Sequence, residues 1–312
     1  MLIIVNHIQL SYYSSYLCIL LVAMLTGCND LPDEQFEKSA IIIKNGYHEW
    51  ELPYNGEDEM TAYVSVALSG TSILKEDVEA ELKVSPANLE EYNFDQFRYD
   101  ESSYYELLPE ECYEMESNKV VIPAGSEYGL LPVKIRIDKM NKYHNYILPL
   151  EIVSVSKYSI GKNGYNKALV NIVLKNDYSG KYSRTLELNS SEGGMLITGD
   201  QVLRTITPNT CYFTAAYLDK ASEQEYYNIN MVVNSDSTLT LSAVNPDIEL
   251  EFASPSKEKD NETNIVEIKD LGKNSKSMKF FLDYSYIDKS NPEAEPVRRY
   301  IKGFLLREIK ED

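Results

Sequence analysis

Residue types that mark catalytic and metal-binding proteins are scarce in this sequence. Its three histidines, His7, His48 and His144, stand far apart, and no cysteine or histidine cluster has the spacing of metal ligands. The signatures of serine hydrolases, phosphate-binding loops, dinucleotide-binding folds and zinc proteases are missing. Acids are so numerous that no pair stands out as the two carboxylates of a glycosidase. We therefore expect a protein that is not an enzyme and that holds no metal or other cofactor.

Positive charge is also scarce. The 312 residues include 49 acids against 30 lysines and arginines, which gives a formal net charge of −19. A chain this acidic repels the phosphates of nucleic acids and the head groups of anionic lipids. We expect neither nucleic acid nor an anionic membrane surface as a partner.

The apolar run near the N-terminus is short. The stretch from Leu17 to Leu25 cannot span a bilayer, but it has the length of the central region of a signal peptide. It ends in Leu25-Thr26-Gly27-Cys28, the arrangement that a lipoprotein signal peptidase needs before a cysteine that is acylated and becomes the new N-terminus. No Lys or Arg precedes this stretch, which is unusual for an export signal. We expect residues 1–27 to be a signal peptide and Cys28 to carry lipid.

Residues 28–40 are predicted to form an acidic tether behind the lipid. Acids placed directly after an acylated cysteine can act as an export address, and the alternative is a plain solvated linker. The expected location is the outer membrane, with the protein facing the cell exterior and touching the membrane only through its lipid anchor.

Cysteine is scarce in the remainder of the chain. Cys18 lies in the predicted signal peptide and Cys28 is the predicted lipid site, which leaves Cys112 and Cys211. These two could form one disulfide in an oxidising exterior. We favour two separate buried thiols, because the two cysteines fall in different predicted domains.

Patterning between residues 41 and 175 predicts an immunoglobulin-like antiparallel β-sandwich. Apolar and polar residues alternate in short runs, and turn residues such as Asn45-Gly46 and Asn163-Gly164 bound them. One helix is predicted at Pro86–Phe97, and the proline in Leu148-Pro149-Leu150 suggests an edge strand. The predicted strands are Ala62–Leu68, Glu79–Val84, Lys119–Ile122, Leu131–Ile137, Tyr146–Val153 and Ala168–Leu174.

Residues 176–312 are predicted to form a second β domain. Consecutive strands with short connections favour an antiparallel meander or a barrel-like, lipocalin-like sheet. Ser254–Asn264 and Asp288–Pro296 read as solvated loops. The predicted strands are Tyr182–Leu188, Gln201–Thr207, Cys211–Tyr217, Tyr226–Val233, Thr238–Ala243, Ile265–Ile268, Met278–Tyr286 and Arg299–Glu308.

Tyrosine is the aromatic residue in excess, with 25 against eight phenylalanines and the single Trp50. Sugar rings stack on such faces, while nearby carboxylates and amides bond to the hydroxyls. Tyrosine is also favoured in strands, so most tyrosines are expected to pack at half-buried positions. The candidate ligand-binding residues are those near predicted strand ends, where they could line a barrel mouth, together with the tryptophan: Tyr212, Tyr217, Tyr226, Tyr227 and Trp50. Packing in the core is the alternative for each, and the more probable one for Trp50.

Several local motifs of the chain resemble a family of two-domain surface lipoproteins of Bacteroidetes, encoded with polysaccharide-utilisation genes. The N-terminal half resembles the adhesion-like β-sandwich of unknown function in that family, and the C-terminal half resembles the companion β domain. The motifs that carry the resemblance are Val66-Ala67-Leu68-Ser69-Gly70-Thr71, Glu91-Tyr92-Asn93, Tyr105-Glu106-Leu107-Leu108-Pro109, Val121-Ile122-Pro123-Ala124-Gly125, Ile147-Leu148-Pro149-Leu150, Tyr178-Ser179-Gly180-Lys181-Tyr182 and Phe280-Phe281-Leu282-Asp283-Tyr284-Ser285-Tyr286.

The resemblance implies a lipoprotein that helps to capture glycans, and it brings no catalytic residues. We therefore expect a non-catalytic protein that binds a polysaccharide or oligosaccharide, with outer-membrane glycan import proteins as partners. The alternative is a structural or adhesion lipoprotein that contacts other proteins or the host matrix.

Overall fold

Strands dominate the computed structural model, which describes residues 37–70, 73–218 and 225–310. The predicted all-β class is confirmed. The predicted signal peptide, Cys28 and most of the tether lie outside the described residues. The strands are β1 (Ser39–Ile42), β2 (Gly46–Pro53), β3 (Glu59–Leu68), β4 (Val78–Val84), β5 (Glu106–Leu107), β6 (Tyr113–Glu114), β7 (Lys119–Ile122), β8 (Tyr128–Arg136), β9 (Tyr146–Val155), β10 (Ser159–Ile160), β11 (Lys167–Lys175), β12 (Gly180–Ser190), β13 (Gly193–Thr207), β14 (Thr210–Thr214), β15 (Asn228–Val233), β16 (Leu239–Ala243), β17 (Glu251–Phe252), β18 (Ile265–Asp270), β19 (Ser275–Asp288) and β20 (Val297–Lys310). Helix α1 spans Pro86–Phe97, and short 3₁₀ helices cover Glu101–Ser103, Glu110–Cys112, Ile137–Lys139 and Pro246–Ile248.

Strands β1–β11 form a sandwich of two sheets. The first sheet has the order β10-β1-β3-β8-β6, and the second has the order β2-β11-β9-β4-β7 with β5 beside β9. Apolar side chains of both inner faces make one core that includes Val66, Leu82 and Ile135. Most pairs are antiparallel, but β1 runs parallel to β10 and β2 runs parallel to β11. Strands β1 and β2 were not predicted, and β1 begins at Ser39, inside the predicted tether.

The prediction that Leu148-Pro149-Leu150 forms an edge strand is wrong. Strand β9 lies inside the second sheet and pairs with both β11 and β4. The carbonyl of Pro149 accepts a hydrogen bond from the Ser85 amide at 2.9 Å. The N–H and C=O of one strand residue point to the same neighbour, so the missing N–H of Pro149 faces the place where β4 has already ended at Val84. The proline therefore removes no bond from the ladder.

Helix α1 has the predicted bounds and covers the outer face of the second sheet. Pro86 occupies the first turn, where its missing N–H is not needed, and Arg98 ends the helix with a φ of 56°. Leu89 packs on Ile147 and Leu169 in a small separate cluster.

Strands β12–β20 form one curved sheet that nearly closes into a barrel. The order is β16-β15-β14-β13-β12-β20-β19-β17, with β18 also paired to β19. A bridge between Thr238 and Ile265 joins the two ends of the sheet, so the predicted barrel-like meander is confirmed. A Cβ at Gly303 would lie 2.2 Å from the Thr185 carbonyl oxygen, so only glycine permits the close approach of β20 to β12 there.

The barrel interior is filled by large side chains. Tyr182, Tyr227, Phe280 and Tyr286 are fully buried in its core. Aromatic rings meet edge to face within this core, for example Tyr182 and Phe280 with centroids 5.5 Å apart. The described interior is therefore a packed core.

The two loops predicted to be solvated are partly buried. Asn264 is fully buried, and its Nδ2 donates to the carbonyls of Ala253 and Asp283 at 2.8 and 2.9 Å. Ser290 is also buried, with its amide donating to the Asp288 carboxylate at 3.0 Å. Polar residues in both loops thus satisfy backbone groups where the chain crosses the end of the sheet.

The prediction of two separate buried thiols is confirmed. Cys112 is buried in the sandwich and Cys211 in the barrel, and neither forms a disulfide. Within residues 37–70, 73–218 and 225–310, no helix is long and apolar enough to cross a membrane.

Candidate functional site

A cleft of about 890 Å³ opens between the sandwich and the outer surface of the barrel. The sandwich contributes Phe97 at the end of α1, residues 100–106 after it, and the connection between β8 and β9 at Tyr143 and Asn145. The barrel contributes residues of β13, β14 and β15 and the turn before β15. Both halves of the chain are thus needed to form the walls.

The connection between β8 and β9 docks the sandwich onto the barrel. Lys142 Nζ donates to the Tyr54 hydroxyl at 3.0 Å and to the Ile206 carbonyl at 3.1 Å. The Tyr143 hydroxyl donates to Asn230 Oδ1 at 3.0 Å, and the Tyr212 hydroxyl donates to the Tyr143 carbonyl at 3.2 Å. Three of these bonds, those to Ile206, to Asn230 and from Tyr212, join the sandwich to the barrel.

Six aromatic side chains line the cleft. On the docking side, the rings of Tyr143 and Tyr212 lie with centroids 5.0 Å apart. On the facing loop, the Phe97 ring lies 6.2 Å from that of Tyr104 and 5.8 Å from that of Tyr105. The sixth is Tyr226, whose hydroxyl donates to the Asp247 carboxylate at 3.1 Å.

Asn93 of helix α1 positions Tyr105 in the wall. Its buried side chain donates from Nδ2 to the Tyr105 carbonyl at 2.8 Å and accepts from the Tyr105 amide at 3.0 Å. The Tyr104 hydroxyl donates to the Arg98 carbonyl at 2.5 Å. The segment is therefore tied to α1 and its C-cap by bonds at Tyr104 and Tyr105.

Charged and amide groups lie among these rings. Asp100, Glu101, Glu106 and Glu225 supply carboxylates, and Arg204 supplies a guanidinium. The Asp100 carboxylate accepts bonds from the hydroxyls of Ser102 and Ser103 at 2.6 and 2.8 Å, which lowers the pKa of its carboxyl. Glu106 Oε1 lies 2.5 Å from His144 Nδ1.

The pKa of the Tyr212 hydroxyl is shifted, and burial is the main cause. It raises the pKa of the Tyr212 hydroxyl to about 12, Arg204 opposes this rise, and Glu225 adds to it. Tyr212 is thus neutral at physiological pH and can act as a hydrogen-bond donor and acceptor.

The structure places two of the five candidate residues in the cleft. Tyr212 lies there with 5% of its surface exposed, and Tyr226 with 37%. Tyr227 is fully buried in the barrel core, where its hydroxyl accepts from the Lys289 amide at 2.8 Å. Tyr217 packs on the same core beneath Arg299, whose guanidinium carbon lies 5.0 Å from the ring centroid.

Trp50 lies elsewhere, in the core of the sandwich. Only 9% of its surface is exposed. It borders a smaller cavity of about 180 Å³, together with His48 and Tyr63. The position is that of a core anchor, the more probable of its two predicted roles.

Four of the six aromatic residues of the cleft were not among the candidates, namely Phe97, Tyr104, Tyr105 and Tyr143. Phe97 ends α1, and the other three lie in loops or connections outside the strands. An aromatic side chain in a loop has no neighbouring strand residues to pack on, and this was the one feature of the sequence that could have identified the three. Over the described residues, no group of three or more potential ligands could hold a metal ion.

The structure is that of a two-domain all-β protein with a cleft between its domains. One family model, of an N-terminal domain, matches residues 34–159, and a second, of a C-terminal domain, matches residues 166–304. The chain belongs to the family that this pair of domains defines.

Solved structures share the whole two-domain fold. A protein of unknown function from Bacteroides ovatus aligns with a TM-score of 0.74 and 20% identity, over 88% of this chain and 95% of that chain. An auxiliary nutrient binding protein from Bacteroides thetaiotaomicron aligns with a TM-score of 0.67 and 20% identity, over 84% of this chain and 91% of that chain. A second Bacteroides ovatus protein of unknown function aligns with a TM-score of 0.67 and 18% identity, over 88% and 92%. No curated protein matches the chain.

Proposed function

We propose that this chain is a non-catalytic binding protein that holds a glycan in the cleft between sandwich and barrel. The observation that carries the proposal is the composition of the cleft, in which six aromatic rings lie among carboxylate, amide and hydroxyl groups. Aromatic faces stack on the C–H faces of sugar rings, and such polar groups bond to sugar hydroxyls. A cleft of about 890 Å³ is large enough for several sugar units.

The structural relatives support a binding role. One of them is described as an auxiliary nutrient binding protein and shares the whole two-domain fold at 20% identity. Capture of a polysaccharide for uptake is the corresponding role for this chain, with outer-membrane glycan import proteins as its partners.

The proposed location is the cell surface, with the protein anchored to the outer membrane by lipid on Cys28. The sequence Leu25-Thr26-Gly27-Cys28 and the acids behind it support this location. An anchor that holds many copies in one plane lets weak sites act together on one polymer, so even millimolar affinity suffices.

The test is native affinity electrophoresis of the chain from residue 29, which retains every described residue, through gels that contain neutral and charged polysaccharides. We expect at least one polysaccharide to retard the protein. Replacing Tyr226 by Ala removes a half-exposed ring of the cleft and should weaken binding about tenfold. Tyr300→Ala, which removes an exposed ring of β20 outside the cleft, is the matched control and should change nothing.

Two results would contradict this function. One is the absence of retardation by any polysaccharide in the panel. The other is equal retardation of the wild type and Tyr226→Ala, which would place the glycan outside the cleft.

A second candidate function is adhesion to proteins, and one surface favours it. The outer face of the first sheet exposes about half of each of four large side chains, Ile43, Tyr63, Tyr128 and Leu130. In β3 and β8 Tyr63 lies opposite Pro132, and Ser65 lies opposite Leu130, so these neighbouring positions form a largely apolar patch. If adhesion is the function, immobilised matrix proteins such as collagen should bind the wild type, and Leu130→Lys should lose that binding.

A further inference from the structure

The charge of the cleft is strongly unbalanced. Carboxylates enter it from both sides, with Asp100, Glu101 and Glu106 on the sandwich and Glu225 on the barrel. Arg204 is the one cation among the lining residues that the structure describes. A ligand in the cleft is thus surrounded by excess negative charge, in a chain whose net charge is −19.

These carboxylates are set up to accept hydrogen bonds. Asp100 is held in place by the two serine hydroxyls, and this bonding also lowers the pKa of its carboxyl. Glu106 is oriented by its contact with His144. Ionised carboxylates accept from sugar hydroxyls and from ammonium groups, but they only repel another carboxylate or a sulfate.

Asn228 adds an amide group to the wall of the cleft. It lines the cleft although only 3% of its surface is exposed. Its Oδ1 accepts from the Thr214 hydroxyl at 3.0 Å, and among the described residues its Nδ2 has no acceptor. This amide nitrogen is a donor on the cleft wall, and a sugar hydroxyl is a suitable acceptor for it.

We infer that the cleft admits uncharged and amine-bearing saccharides and rejects saccharides that carry carboxylate or sulfate groups. This inference rests on the proposed function and narrows the class of ligand. Recognition then uses carboxylates as acceptors for hydroxyl or ammonium groups, Asn228 as the partner of a hydroxyl, and the aromatic rings as stacking surfaces.

The test compares each neutral polysaccharide that retards the protein with its own oxidised form, in which the primary alcohols have become carboxylates. We expect the oxidised polymer to bind at least about tenfold more weakly at low salt, because several unscreened like charges lie within one Debye length. Converting the new carboxylates to amides should restore the binding, and high salt should narrow the gap.

Paired variants locate the effect. Glu101→Gln with Glu225→Gln removes two charges from the cleft and should narrow the difference between the neutral and the oxidised polymer. Glu187→Gln with Glu308→Gln changes the net charge equally at exposed barrel positions outside the cleft and should leave the difference unchanged.

Each outcome separates the inference from the proposed function. If the oxidised polymer binds as well as its parent, or if only anionic polysaccharides such as polygalacturonate retard the protein, the inference is wrong and the binding function stands. If no polysaccharide of any charge retards the protein, both fail.

Discussion

Several buried tyrosines have hydroxyl pKa values well above that of a free tyrosine side chain. Tyr182 and Tyr286 lie in the barrel core and Tyr212 beneath the cleft, and burial raises the pKa of all three. The Tyr182 hydroxyl donates to the Tyr178 carbonyl at 2.8 Å, a bond that the ionised form cannot make. The folded protein therefore binds these protons more tightly than the unfolded chain does.

This difference predicts unfolding at alkaline pH. The unfolded chain loses the three protons near pH 10, whereas the folded protein keeps them to higher pH, so stability is intact below pH 10 and falls above it. Above pH 10, each of the three hydroxyls lowers the free energy of unfolding by about 1.4 kcal/mol per pH unit. Tyrosinate absorbance should rise first from exposed rings and then in a cooperative step together with the loss of circular dichroism. A single gradual rise without that step would contradict the prediction.

The residues that line the cleft could be predicted only in part from the sequence. Tyr212 and Tyr226 were singled out because they lie near strand ends, but Tyr217 and Tyr227 have the same property and pack on the barrel core. Tyr226 and Tyr227 precede β15, so strand alternation does not decide which of them faces inward. That choice depends on the Lys289 amide that Tyr227 meets across the fold.

At the scale of elements, the connection between β8 and β9 holds the two domains together. Tyr143 contributes its hydroxyl bond to Asn230 and its ring contact with Tyr212. Lys142 contributes its bond to the Ile206 carbonyl of the barrel, and it is held within the sandwich by its bond to the Tyr54 hydroxyl, 4.5 Å above the centroid of that ring. This short connection is thus the main described link beside the cleft.

Replacing Tyr143 by Ala should loosen this link. The lost hydrogen bond and ring contact together cost about 2 kcal/mol, most of it at the domain interface. Scanning calorimetry should therefore show the sandwich and the barrel unfolding in more widely separated transitions than in the wild type. Tyr143→Phe keeps the ring and should have about half the effect.

Tyr99→Ala is the control, because 89% of that side chain is exposed and it lies in the same half of the chain. Its effect on either transition should stay within about 0.5 kcal/mol. Equal effects of Tyr99→Ala and Tyr143→Ala would show that the connection does not couple the domains.

Most strands were predictable because they alternate over many residues between a buried and an exposed face. In β3, for example, Ala62, Val64 and Val66 are buried. Strand β2 escaped detection since only Trp50 and Leu52 are buried in it, a pattern too short to stand out. The Pro149 prediction failed because the cost of a proline depends on where the neighbouring strand ends, which a single sequence does not show.

At the scale of the whole molecule, the cleft itself could not be predicted. Its walls come from residues that are far apart in sequence, as in the bond between Tyr143 and Asn230. Hydrophobic patterning sets the strands of each domain, but the relative placement of two domains depends on a few polar contacts that carry no periodic pattern.

The proposed lipid anchor concerns the whole molecule, and fractionation can test it. We expect the full-length chain to be labelled by a palmitate analogue and to sediment with membranes. Cys28→Ala should abolish both, since the remaining apolar segment is too short to span a bilayer stably. Cys18→Ala, in the predicted signal peptide, is the matched control and should keep the label; equal labelling of all three proteins would refute lipidation at Cys28.

The parallel strands of the sandwich impose an order on its assembly. Strand β2 near the start of the chain pairs with β11, which ends at Lys175, whereas most barrel strands pair with the next strand along the chain. A chain that emerges N-terminus first from a ribosome or a translocation channel cannot complete the sandwich until β11 has emerged as well. Non-local pairing of this kind is slow. Strand β2 therefore has no partner strand in its sheet until the last strand of the sandwich is available.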